Sequence, residues 1–146
     1  MACFLFTKAI IEGKPIKVFN NGEMRRDFTY INDIVAGIIS VASEPAKPNL
    51  EWDPVMPDPG TSTAPYRIYN IGNNKPVFLK DFISVLEKEI GKEAIKEYLP
   101  LQQGDVVATY ADIEDIKNNF DFEPKTDISI GLKNFVSWYK DFYKLK

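Results

Sequence analysis

Residues 16–42 read IKVFNNGEMRRDFTYINDIVAGIISVA, and two hydrophobic periods follow one another within them. Ile16-Lys17-Val18-Phe19 is short, β-branched and aromatic, which predicts a strand. Asn20-Asn21-Gly22 is turn chemistry, because these residues tolerate positive φ. Residues 27–31 predict a second strand, and Asn32-Asp33 supply an N-cap for a helix. Ile34, Val35, Ile38, Ile39 and Ala42 then place apolar side chains on one helical face. Strand, turn, strand and amphipathic helix in direct succession set an α/β class.

Upstream, the stretch from Met1 to Lys8 has no positive region before its apolar residues and no small-residue cleavage site after them, so it does not read as a secretory signal. It predicts a helix running to about Glu12, stopped by Gly13 with Pro15 beyond, and without a visible N-cap. Downstream, six prolines fall in residues 44–65 (Pro45, Pro48, Pro54, Pro57, Pro59, Pro65), a density that no helix or central strand survives. That stretch reads as a long surface loop, either disordered or a lid. Residues 66–71 predict a strand ended by Gly72-Asn73-Asn74. Leu79, Phe82, Ile83, Leu86 and Ile90 form the clearest amphipathic helix, with Asp81 in its first turn and Gly91 at its stop. A strand over 94–99 follows, then a short helix behind Asp112 and a final helix behind Asp127. The last carries Ile128, Leu132, Phe135, Val136, Tyr139 and Phe142 on one face.

Composition narrows the chemistry. The 146 residues are 45% hydrophobic and 27% charged, the balance of about one folded domain. The single Cys3 excludes an internal disulfide framework and points to a reducing, cytoplasmic setting. Apolar runs fall well short of the roughly 20 residues a membrane helix needs. A net charge of −3 argues against a nucleic-acid partner held by phosphate neutralisation. There is no histidine, which removes Ser-His-Asp and Cys-His nucleophile systems and nearly every zinc or haem site. G-x-G-x-x-G and Walker motifs are also missing from the sequence.

Three polar groupings remain. Asp112 and Asp115 have helical spacing, but capping a helix start explains them better than an acid/base or metal pair. Arg25 and Arg26, next to a glycine turn, suit a clamp for phosphate or carboxylate; the alternative is a solvated hairpin rim with Arg26 paired to a neighbouring carboxylate. Gln102-Gln103-Gly104-Asp105 could meet a sugar or ribose, or form an Asx turn. The residues alone give an α/β domain with a candidate anion site and no catalytic machinery of its own.

The order of segments carries a resemblance. Phe4-Leu5-Phe6-Thr7-Lys8-Ala9-Ile10, Gly13-Lys14-Pro15-Ile16, Val18-Phe19-Asn20, Arg26-Asp27-Phe28-Thr29-Tyr30-Ile31 and Asp33-Ile34-Val35 occur in sequence. Tyr69-Asn70-Ile71-Gly72, Pro76-Val77, Gln102, Gly104-Asp105-Val106, Ala111-Asp112 and Phe135-Val136-Ser137-Trp138-Tyr139 follow. This resembles the C-terminal part of the NAD-dependent nucleotide-sugar epimerases of the extended short-chain dehydrogenase/reductase superfamily, and among them the UDP-glucuronate 4-epimerases. The likeness covers essentially the whole chain and is weakest in the proline-rich loop. Asn32 stands where the family usually has Asp, and Gln103 replaces a common Pro.

The resemblance implies a Rossmann-type fold of which residues 1–146 are the UDP-sugar-binding C-terminal region, with the NAD-binding domain elsewhere. It implies inversion at C4 of a UDP-sugar using bound NAD, a Y-x-x-x-K pair and a G-x-x-G-x-x-G turn. This sequence has neither motif, so no catalytic, cofactor or metal residue is expected within it, and the chain alone is expected to be inactive. The expected substrate contacts are Lys17 and Phe19 at the uracil (Lys17 through its backbone), Arg26 at the diphosphate with Phe28 beside it, Val77 near the nucleotide, and Gln102 and Asp105 toward ribose and phosphate. Other readings are a UDP-sugar decarboxylase or dehydratase of the same superfamily, or a non-catalytic nucleotide-sugar module. The parent enzyme is expected to be a homodimer. In the family, strand 66–71 joins a larger sheet; alone it exposes backbone and apolar surface. The isolated chain is therefore expected to self-associate, and a monodisperse monomer in light scattering is the contrary result.

Overall fold

The computed structural model describes residues 2–145. Helix α1 (Ala2–Glu12) buries Thr7 and Ile10 and stops at Gly13, whose φ of +69° turns the chain out of the helix. Strand β1 (Ile16–Phe19) follows, buried at Ile16 and Val18 while Lys17 stays exposed, the period-two alternation of a half-covered strand. Asn20–Gly22 form a tight turn with positive φ at all three residues. That turn does not make a hairpin. It sends the two-residue strand β2 (Arg25–Arg26) to another partner, β3 (Val77–Phe78), in an antiparallel pair. Strand β1 pairs in parallel with β4 (Lys96–Leu99), Lys17 opposite Glu97.

Helix α3 (Leu79–Ile90) lies between these pairs and ends at Gly91, φ +80°, as its pattern requires. Its Phe82, Ile83 and Leu86 join Ile10, Ile16, Val18, Leu132 and Val136 in the main core, the last two from α5 (Ile128–Phe142). A second cluster of Ile113, Ile116 and Phe122 lies around α4 (Glu114–Phe120), with Val41, Tyr69 and Ile71 packed on it.

Four expectations change. The strand expected over 27–31 ends at Arg26, because Asp27 bonds elsewhere and Phe28 turns inward to stack on Phe82 at 4.4 Å. Helix α2 (Ile31–Ser43) is not capped by Asn32-Asp33; the Asp33 carboxylate instead accepts the backbone N–H groups of Lys125 and Thr126. Its expected apolar face points outward: Val35, Ile38 and Ile39 are 44%, 54% and 64% exposed. The buried contact is Gly37, where a Cβ would come within 3.1 Å of both Ile71 and Phe122, and only this narrow edge meets the second cluster. Residues 66–71 have no ladder partner beyond one bridge from Arg67 to Thr61, since no strand among the described residues offers them an edge.

The proline-rich loop folds back on itself. Trp52 Nε1 donates to the Asp58 carbonyl at 3.1 Å, Gly60 N–H and the Thr61 hydroxyl donate to the Asp58 carboxylate, and Asn49 reaches Thr61. Those donors hold the Asp58 carboxyl below its ordinary range.

Gly72 is the tightest backbone approach. A Cβ there would lie 2.3 Å from Ala111 Cβ and 2.8 Å from Asp27 Oδ2. Gly72→Ala should lower stability by about 1–3 kcal/mol, read as the shift of the urea midpoint, and adding Ala111→Gly should recover part of the loss.

Candidate functional site

A cavity of about 860 Å³ opens between α1, β1, residues 24–28 and the loop around 102–109. Six of the seven expected contacts line it: Lys17, Phe19, Arg26, Phe28, Gln102 and Asp105. Val77 does not. It sits in β3 opposite Arg26, half-buried, and supports the strand that carries the guanidinium. Residues from α1 (Cys3, Leu5, Phe6, Ala9) and Thr109 complete the wall. The sequence reading missed these, because an apolar helical stretch reads as core until its partners are known.

Each polar group is held by local structure. Lys17 and Phe19 occupy alternate positions of β1, opposite in phase to the buried Ile16 and Val18. Arg26 Nη1 donates to the Arg25 carbonyl at 2.8 Å and the Val107 carbonyl at 3.4 Å, while Nη2 donates to Asp105 Oδ1 at 2.8 Å. Of the two readings of Arg26, the structure shows the guanidinium paired to a neighbouring carboxylate, on the wall of the cavity. Phe28 lines the cavity with one ring face already taken by Phe82. Asp105 sits just past Gly104, φ +84°, in a turn closed by its N–H to the Gln102 carbonyl.

Beneath these residues, the Asp27 carboxylate accepts backbone N–H groups from Asn74 at 3.1 Å, Lys75 at 3.3 Å and Ala111 at 3.2 Å. The Asp27 N–H donates to Thr109 Oγ1. Asp112 accepts the Glu114 N–H at the start of α4, and Asp115 pairs with Arg67, so these two carboxylates form no acid/base couple. No cluster of three His, Cys, Asp or Glu suited to a metal occurs among the described residues. No helix of the structure is long and apolar enough to cross a membrane.

A second cavity of about 730 Å³ adjoins the first across Cys3, Leu5 and Phe28. Residues 29–31 and the first turns of α5 form its other walls, and they are mostly apolar. Of these two cavities, the first holds the paired Arg26 and Asp105 together with Lys17 and the Phe19 and Phe28 rings. It can hold a flat group joined to an anion, and it presents no poised nucleophile or general base.

The mixed α/β arrangement around this cavity is similar to part of the solved UDP-glucuronic acid 4-epimerases. Residues 2–72 match the NAD dependent epimerase/dehydratase family. It is 51% identical over 144 residues to Protein CapI of Staphylococcus aureus, covering 99% of this chain and 43% of that protein. With the probable UDP-glucuronate 4-epimerase of Rhizobium meliloti it shares 38% identity, covering 99% and 42%. The UDP-glucuronic acid 4-epimerase of Bacillus cereus, solved with UDP-glucuronic acid and NAD, superposes with a TM-score of 0.78 at 28% identity over 98% of this chain and 40% of that one. The chain thus spans about two fifths of the length of these relatives.

NAD does not fit the residues present. The one parallel strand pair, β1 with β4, leads into no glycine-rich helix start, and no wider parallel sheet exists among the described residues.

Burial pushes the Cys3 thiol up to about 11. A thiol whose pKa is raised holds its proton until the pH nears that value. Alkylation by iodoacetamide at pH 8 should therefore run about two orders of magnitude slower than for a free thiol, and accelerate roughly tenfold per pH unit between 8 and 10.

Proposed function

We propose that this chain is the UDP-sugar-binding region of a UDP-glucuronate 4-epimerase, an isomerase that inverts C4 of its substrate with NAD held by residues outside the chain. One observation carries the reading: Arg26 lies on the same cavity as Lys17, Phe19, Gln102 and Asp105. A diphosphate meets the guanidinium, whose planar fork matches phosphate oxygens. The base lies along β1, reading the Lys17 backbone and the Phe19 ring. Ribose and phosphate reach Gln102 and Asp105, and Phe28 sits beside the diphosphate.

The chain's own part is binding and orientation. Nothing on the cavity wall moves a hydride, and the Cys3 thiol stays protonated near neutral pH. Isolated, the chain binds the nucleotide without turning it over. Whole, the enzyme works as a homodimer in the cytoplasm.

Calorimetric titration with UDP tests this. Wild-type chain should bind, and Arg26→Ala should weaken binding about 10- to 100-fold, the loss of one or two charge-assisted hydrogen bonds. UDP-glucuronate with NAD should give no C4-inverted product from this chain alone. Absence of UDP binding at millimolar concentration, or equal binding by Arg26→Ala, overturns the proposal.

A further inference from the structure

The two partners of the Arg26–Asp105 pair are anchored very differently. Arg26 lies in β2, held by β3 on one side and by the backbone at Val107 and Thr109 on the other, and its Nη1 is bonded to two carbonyls. Asp105 lies on a loop in which residues 101–110 are all exposed, and nothing comes within 4 Å of the Cβ position of Gly104 beside it. Its Oδ1 takes the Arg26 Nη2 and the N–H of Val106, the next residue of its own loop. If one partner yields, it is Asp105.

Charge on the cavity wall points the same way. Lys17 and Arg26 are balanced by Asp27 and Asp105, and the Asp27 carboxylate is fully engaged by three backbone donors. The one carboxylate that neutralises the guanidinium and can also leave it is Asp105.

We propose that Asp105 is a specificity-determining residue of this site: a built-in counter-anion that occupies Arg26 until a ligand carrying both a phosphate and a nucleoside displaces it. The proposal deepens the nucleotide reading above and rests on it for the identity of the ligand. A small free anion must displace the carboxylate using only the cations of the cavity wall. A nucleoside diphosphate adds contacts along Lys17 and Phe19, so the same displacement costs it a smaller share of its binding energy. Selectivity is a difference of affinities, and an internal competitor lowers every affinity while lowering the small anion's below usefulness.

Calorimetric titration of the full chain with sodium pyrophosphate and with UDP, at one ionic strength, tests this on five proteins: wild type, Asp105→Asn, Arg26→Ala, the double variant, and Glu44→Gln as the removal of a remote exposed carboxylate. Asp105→Asn should bind pyrophosphate roughly 3- to 5-fold tighter than wild type, the scale of a half-exposed ion pair, and its preference for UDP over pyrophosphate should fall. Glu44→Gln should leave pyrophosphate affinity unchanged, and Asp105→Asn should add nothing in the Arg26→Ala background. Pyrophosphate binding no tighter in Asp105→Asn, a gain matched by Glu44→Gln, a gain that survives Arg26→Ala, or no pyrophosphate binding by any variant each overturns the proposal. If UDP binds wild type but pyrophosphate ignores Asp105, the counter-anion role fails and the nucleotide reading stands. If pyrophosphate responds and UDP does not bind, the nucleotide reading fails instead.

Discussion

The carboxylate of Asp27 sits where three distant stretches of chain meet, accepting N–H groups from residues 74, 75 and 111 while its own N–H bonds to Thr109. The donors from Asn74 and Ala111 would otherwise face a partly buried region without a partner, at a cost of about 1–3 kcal/mol apiece. The arrangement is also the reason Gly72 has no room for a side chain. Arg26 is the next residue in sequence, and the segment that carries Asp105 ends at the same junction. The geometry of the anion site is therefore inherited from a residue that need not touch the ligand.

Around that junction the cavity is assembled from parts that are short and individually weak. Two-residue strands and a four-residue parallel pair cannot stand alone. They are held by α3, whose Phe82 lies against Phe28 on one side and, edge-on, against Phe6 of α1 on the other. One aromatic side chain thus links the helix that walls the cavity to the segment that carries the guanidinium. Aromatic pairs of this kind add about 0.5–1.5 kcal/mol beyond the area they bury.

What could be read from the sequence was what depends on neighbours in sequence. Helix α3 shows its whole face at spacings of three and four and ends at its glycine, so its bounds were legible. That Lys17 and Phe19 share a face was legible from strand alternation, whereas their grouping with Arg26 came only from the resemblance. Long-range bonding was not legible. Asp27 looks like the first residue of a strand and Asp33 like a helix cap, and both serve backbone groups more than 40 residues away. Residues 66–71 have the composition of a strand, but a strand is completed by a neighbour, and none is offered here. Val77, which the resemblance puts near the nucleotide, lies in β3 opposite Arg26, a register that the sequence does not show.

The two hydrophobic clusters have a consequence for how the molecule breathes. Eight buried side chains lock α1, β1, α3 and α5 together, whereas three hold α4 against α2 and the extended stretch before Gly72. Opening free energy follows buried contact, so the smaller unit should open far more often than the larger. Amide protons of α2 should then exchange with solvent while those of α3 remain protected. The junction at Asp27 lies on the boundary between the two units, since Ala111 packs on the smaller cluster and Phe28 on the larger. Transient release of the small unit would withdraw the Ala111 donor without unfolding the wall formed by α1 and β1. The lifetime of a bound ligand would then be set by a rare local event rather than by global stability.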